Sequence, residues 1–255
     1  YKPEISKNDY VVYPETYGLK ILRDINIKNR VIFNQGAYLT FSGYPLTNKK
    51  IKTPYNKETI KGVMVVSNDS LRYIKYVFPK VYVKRIHNGL NEKIFKYSSK
   101  KKKQIAFIPK KIPKDITQII NILSQHKKLE KYKLVSIENK SEKEVSKILR
   151  DSLFFISTSF QEGFSLPLAE AMACGCVVVG YHGRGGKEYM KKNLSFPVEY
   201  GDIIKISKTM EKLMDSYEQN PSKILNIGKR VSFFILKRYT LKKEREDVLN
   251  FWSKI

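Results

Sequence analysis

STSFQEGFSLPLAEAMACGCVVVGYHGRGGKE, residues Ser157 to Glu188, is the stretch whose pattern decides the fold. An apolar strand ends at Thr158, and a loop carrying Glu162 and Gly163 follows. Gly163 permits a close backbone approach or a positive φ. Ser165 is placed to cap a helix with Pro167 in its first turn, and Gly175 stops that helix. CVVVGY then reads as the next buried strand. The free N–H groups of the first helical turn, with the positive helix end, form an anion site suited to a diphosphate. Glu170 lies one turn further along, on the face shared with Leu166. A carboxylate there can accept hydrogen bonds from two vicinal hydroxyls, as on a ribose or a pyranose.

The same alternation extends outward in both directions. Upstream in the second half, QIAFIP, KLVSIE (Lys133 to Glu138) and SLFFIST (Ser152 to Thr158) read as strands. DITQIINILSQ and SEKEVSKILRD read as the helices between them, the latter opening with a Ser141/Glu144 capping box. In the first half, DYVVYP (Asp9 to Pro14), RVIFNQ (Arg30 to Gln35), GVMVVS (Gly62 to Ser67) and VYVKRI (Val81 to Ile86) are strands. TYGLKILRDI and NDSLRYIKYVF are their helices, and a Lys-, Pro- and Asn-rich loop starts at Ser42. HNGLNEKIFKYSSKKKK, ending in Lys100 to Lys103, reads as a solvated linker. After Asp202 the periodicity is only helical. Apolar β-branched strands alternating with helices predict an α/β protein with two parallel sheets, each covered on both faces. The expected domains are 1–98, 99–236 and a C-terminal helix at 237–255 that can pack back on the first. The first two are Rossmann-like and face each other across a cleft beyond the strand carboxyl ends, where ligands of such sheets bind. The first is short or truncated.

Composition bounds the function. The 255 residues include 49 Lys and Arg against 24 Asp and Glu, a net charge of +25. Such a field attracts polyanions, including anionic lipid headgroups and phosphorylated ligands. The lysines spread through every segment, which equally suits a solvated surface. Tyr and Phe sit mostly in apolar strand and helix positions rather than interleaved with Lys, so nucleic acid is not expected. No run of about 18 apolar residues spans a membrane, and the opening YKPEISKNDY lacks the apolar core of a signal peptide. Cys174 and Cys176 build no disulfide framework and read as core residues in a reducing, cytoplasmic setting. His87, His126 and His182 are scattered, with no metal-ligand spacing.

EGFSLPLAEAMACG resembles the signature of the large family of retaining glycosyltransferases with two Rossmann domains (GT-B), which includes sucrose synthase and bacterial polysaccharide and lipopolysaccharide transferases. Its hallmark is two glutamates separated by seven residues, matched by Glu162 and Glu170. GRGGKE resembles the family's Gly-Gly-x-x-Glu turn, VEYGD (Val198 to Asp202) the lead-in to its last helices, and HNGLNEKIF its interdomain hinge. The resemblance implies transfer of a sugar from a nucleoside-diphosphate-sugar donor to a glycan or lipid-linked acceptor, without a cofactor or metal. It implies that Glu162 contacts the transferred sugar and that Glu170 holds the ribose. The backbone of Gly163, Phe164, Ser165 and Leu166 approaches sugar and diphosphate. A lysine after the first strand of the second domain neutralises the leaving group, either Lys110 or Lys111. Asn34 and Gln35, ending a strand, and Glu15, ending another, are expected on the acceptor side of the cleft. Attachment to the inner membrane face is a further expectation from charge. A nucleotide-sugar epimerase and a basic nucleic-acid binder are the alternatives. The first lacks its carboxylate and histidine set, and the second leaves the two glutamates unexplained.

Overall fold

β1 (Tyr10–Pro14), β2 (Asn29–Asn34), β3 (Ile60–Val65) and β4 (Val83–Arg85) form one parallel sheet in sequence order. The computed structural model describes residues 4–23 and 26–255. Side chains alternate across this sheet, as the two-residue period of a strand requires. Ile32, Val63 and Val65 face a core with Ile74 of α1 (Asn68–Val77). Val31 and Met64 face the other way, onto Phe251 of α7 (Leu241–Trp252). The last helix therefore supplies the cover that the short first half lacks. The expected helix at TYGLKILRDI is instead a 3-10 segment, Glu15–Leu22, broken at Gly18 (φ 49°, ψ −129°). Only a residue without a Cβ adopts that conformation at little cost. Asp24 and Ile25, the end of that expected helix, lie outside the described residues, as do Tyr1, Lys2 and Pro3.

The second sheet contains β5 (Lys102–Phe107), β6 (Lys133–Ser136), β7 (Ser152–Glu162), β8 (Val177–Arg184) and β9 (Phe196–Pro197), all parallel, in the order β6-β5-β7-β8-β9. Ile105, Phe154, Ile156, Val177 and Val179 pack on α2 (Pro113–Gln125) and α5 (Ile203–Gln219). Ala106, Phe155 and Val178 pack on the opposite face, against α3 (Glu142–Asp151), α4 (Leu166–Ala173) and α6 (Pro221–Arg238). Cys174 and Cys176 are free thiols buried in this second core. The chain leaves β5 toward β6 and returns to β7 on β5's other side. That reversal opens a crevice at the carboxyl ends of β5 and β7, where parallel sheets bind ligands.

Lys100 to Lys103 is not a solvated linker. Lys102 and Lys103 open β5, and Lys101 Nζ donates to the Leu149 carbonyl at 3.0 Å and the Cys174 carbonyl at 2.8 Å. These carbonyls belong to the last turn of α3 and the end of α4. A cation there satisfies acceptors that a helix terminus leaves free and opposes the negative dipole end.

Two chain crossings join the halves. The Leu90 N–H donates to the Tyr239 carbonyl at 2.9 Å. A Cβ on Gly89 would lie 2.7 Å from the Leu241 Cα, so the crossings touch at the backbone. Glu188 is the polar clasp: it accepts from Arg85, from the Tyr239 hydroxyl at 2.8 Å and from the Asn68 N–H at 3.0 Å. No helix among the described residues is long and apolar enough to cross a membrane.

Candidate active site

The crevice between the carboxyl ends of β5 and β7 opens into a cavity of about 300 Å³ that both halves line. Lys111 enters from the turn after β5, and Glu162 is the last residue of β7. Lys111 Nζ stands 2.5 Å from Glu162 Oε1 as an ion pair. That oxygen makes no contact of hydrogen-bond geometry and is otherwise unpartnered. The glutamate side chain is 16% exposed and the lysine 40%. The acid is therefore the more enclosed partner and the cation the more solvated one.

Beyond Glu162 the chain turns sharply. A Cβ on Gly163 would lie 1.9 Å from the Gln35 carbonyl, and one on Gly185 would lie 1.9 Å from the Gly163 carbonyl. Glycine is required at both places because three backbones converge there. Ser165 occupies the cap position of α4 but does not cap it. Its φ of 65° is left-handed, and its hydroxyl pairs with the Ser159 hydroxyl at 2.9 Å. The N–H groups of Gly163, Phe164, Ser165 and Leu166 find no acceptor among the described residues. Four successive free donors at a helix start are what an anion-binding turn requires. The expected Ser165 cap is absent: the second helical residue, Pro167, has no N–H, and the Leu168 N–H bonds the Ser165 carbonyl at 3.2 Å instead.

The sequence-expected residues separate into two groups. Glu15, Gln35, Lys111, Glu162, Gly163, Phe164, Ser165 and Leu166 meet around one cavity. Glu15, just after β1, accepts from the Gln35 N–H at 3.1 Å, which fixes both at the first sheet's edge. Asn34 does not reach the cleft. It is buried, and its amide donates to Thr40 at 3.0 Å and Tyr55 at 2.8 Å inside the first half. Strand alternation explains this, because Asn34 and Gln35 must point to opposite faces. Lys110 turns away as well, donating to Asn139 at 3.3 Å on the surface. Glu170 lies outside the cavity lining and close to Glu142 at the start of α3. Burial, helped by the charge of Glu142, pushes its carboxyl up to about 7. No hydrogen-bond partner meets it among the described residues.

Sequence reasoning missed Gly36, Leu39, Val66, Asn88 and Gln161, which also line the cavity. Asn88 sits in the hinge string, so its place was accessible from that resemblance. The others depend on which loop tips the two halves bring together. Among the described residues no group of three or more His, Cys, Asp or Glu is placed to hold a metal ion.

Residues 120–230 match the family model described as glycosyl transferases group 1. Over 192 residues the chain is 27% identical to an alpha-1,6-glucosyltransferase of Actinobacillus pleuropneumoniae serotype 7 (strain AP76), covering 71% of this chain and 54% of that protein. Its fold is similar to that of sucrose-phosphate synthase from Thermosynechococcus elongatus, with a TM-score of 0.70 at 11% identity, covering 96% and 73% of the two chains. It is also similar to S. aureus TarM in complex with Fondaparinux, alpha-GlcNAc-glycerol and UDP, with a TM-score of 0.66 at 18% identity, covering 87% of this chain and 50% of that one. The chain thus spans about half the length of the curated relative it matches. The chain therefore carries a fold of the GT-B kind, and its residues 120–230 are similar to the group 1 glycosyl transferases.

Proposed function

We propose that the chain transfers a sugar, with retention, from a nucleoside-diphosphate donor to a hydroxyl of a glycan or lipid-linked acceptor. One observation carries this reading: the Lys111–Glu162 pair faces a shared cavity beside four free backbone donors, at the sheet's switch point. The diphosphate lies on the free N–H groups after β7. Lys111 leaves Glu162 on donor binding and moves to the phosphates, where it neutralises the leaving group without a metal. Glu162 is thereby released to the sugar.

In a front-face substitution the departing diphosphate helps to take the acceptor's proton, so no enzymic nucleophile forms. The carboxylate of Glu162 and the phosphates supply the negative charge that an oxocarbenium-like transition state needs. Glu170, half-buried and unpartnered, is available to accept from the ribose hydroxyls. Glu15 and Gln35 present the first sheet's edge to the acceptor. A cytoplasmic setting with loose attachment to an anionic membrane surface belongs to the same reading and rests on the charge of +25.

A thermal-shift screen of UDP-, GDP-, ADP- and dTDP-sugars tests donor binding, since ligand at 100 times its Kd stabilises by about 2.7 kcal/mol. UDP-glucose comes first, because one relative is named a glucosyltransferase. With the donor in hand, Glu162→Gln should abolish most transfer while leaving donor binding and fold intact. Near-normal turnover by that variant would remove Glu162 from the chemistry.

A further inference from the structure

A second cavity, of about 390 Å³, adjoins the first and shares Gln161 with it. Its size falls in the range of small-ligand sites, about 300–1,000 Å³. It lies at the ends of β8 and β9, whereas Lys111 and the free N–H groups lie at the ends of β5 and β7. Any ligand reaching it from the catalytic cleft must therefore extend away from the diphosphate, on the side opposite Glu170 and α3.

The backbone is built to shape this pocket. Between Ser159 and Glu162 on β7 the ladder advances one residue more than between His182 and Arg184 on β8. The resulting bulge carries Phe160 and Gln161 out of the sheet. Gln161 (φ 47°) and Arg184 (φ 69°) both sit in the left-handed region, which side-chain-bearing residues adopt at a cost. What the distortion places there is an aromatic wedge. Phe160, 45% exposed, and Tyr200, 59% exposed, lie with ring centroids 4.5 Å apart and planes inclined by 34°. Tyr181, anchored by its hydroxyl to Asp115 at 2.7 Å, backs Tyr200 at 5.3 Å.

Polar groups ring that wedge. His182 Nδ1 accepts from the Arg184 N–H at 3.0 Å, which leaves Nε2–H of the neutral ring as a donor, and burial disfavours its charged form. Arg184 Nε donates to the Tyr38 hydroxyl at 2.9 Å, and its terminal N–H groups find no partner among the described residues. The Gln161 amide and the Glu199 carboxylate are likewise unpartnered there. Among the described residues no lysine lines the pocket, although the chain carries a charge of +25. One Arg and one Glu balance, so the pocket suits an uncharged, hydroxylated ligand rather than a phosphate.

A pyranose has this complementary form: one face of C–H groups that settles on the negative face of an aromatic ring, and a rim of hydroxyls. We propose that the pocket is the acceptor-saccharide subsite, with a neutral pyranose stacked on the exposed face of the Phe160–Tyr200 pair and its hydroxyls on Gln161, His182, Arg184 and Glu199. The inference rests on the glycosyltransferase reading only for the direction in which the ligand leads to the cleft. Specificity for the acceptor then belongs in part to the second domain rather than to the first sheet alone.

The test uses neutral trisaccharides of glucose, galactose and N-acetylglucosamine as probes, with saturation-transfer NMR, and UDP by calorimetry. Ring C–H protons of at least one probe should receive saturation from the wild-type protein. Phe160→Ala and Tyr200→Ala, both at exposed positions, should each weaken that probe about tenfold, or ~1.4 kcal/mol, and leave the UDP Kd unchanged. Absence of saturation transfer from every probe overturns the proposal, as does equal probe binding by the variants. Loss of UDP affinity in the variants overturns it too, because the wedge would then hold the donor's base. Failure of UDP, GDP, ADP and dTDP alike to bind wild type while a probe still depends on the wedge would instead refute the donor reading alone.

Discussion

Glu170 is the residue whose placement makes the sharpest quantitative prediction. Its carboxyl is pushed from about 4.5 to about 7 because burial, and secondarily Glu142, disfavour the ionised form. The native state therefore binds a proton that the unfolded chain has released throughout that interval. Stability falls as pH rises from about 4.5 to about 7, and the loss is complete above the higher value. At ~1.36 kcal/mol per unit, the ionised residue costs the free protein about 3 kcal/mol at neutral pH and above. Glu170→Gln removes the titration and keeps the shape. In urea unfolding, the variant should gain about 2–3 kcal/mol relative to wild type on going from about pH 5 to about pH 8. Comparison of the two proteins cancels the titrating groups that do not interact with Glu170. A difference independent of pH would refute the reasoning.

Such a cost in the free protein is understandable if a ligand relieves it. Hydroxyls donating to the carboxylate favour its charged form and lower its pKa. UDP affinity of wild type should therefore exceed that of Glu170→Gln above about pH 7, and this advantage should shrink as pH falls through about 7. The variant would be the more stable protein and the poorer binder. A ribose elsewhere would leave UDP affinity untouched by the substitution.

If Lys111 moves to the donor phosphates as proposed, Lys111→Ala loses a charge-assisted contact worth about 1.5–3 kcal/mol and should weaken UDP roughly 10- to 150-fold by calorimetry. Lys110→Ala, whose partner is the surface residue Asn139, should leave UDP affinity unchanged. Gly163→Ala places a Cβ against the Gln35 carbonyl and should both lower the melting temperature and reduce donor affinity, because the loop must move away from the first sheet. Lys101→Met strands the Leu149 and Cys174 carbonyls, with an expected loss of about 1–3 kcal/mol in denaturant unfolding. UDP affinity of that variant should not change, since Lys101 lies at the opposite ends of α3 and α4 from the cavity.

What could be read along the chain was what depends on local repetition. The β-branched runs at Arg30, Gly62, Ser152 and Cys176 announced parallel strands buried on both faces, and they are. The string from Glu162 to Gly175 announced a turn and helix with free donors, because Gly, Pro and two fixed acids have no common explanation on a solvated surface. Three features escaped, each for a physical reason. Gly18 ended a helix that the apolar spacing supported, since one residue's φ outweighs weak local propensity. Lys101 looked solvated because its acceptors, Leu149 and Cys174, lie far along the chain and meet it only through the sheet order.

Asn34 is the most instructive of the three, because it differs from Gln35 only in parity. Asn34 ends β2 and Gln35 follows it, yet one is sealed under Thr40 and Tyr55 while the other forms the cleft wall. Knowing which residue faced the core required knowing that Ile32 packs with Ile74 and that Val31 packs with Phe251. The distant C-terminal helix thus tells the two faces of the first sheet apart. The cleft is legible locally on the side where a turn makes it, and only globally on the side where a sheet face makes it.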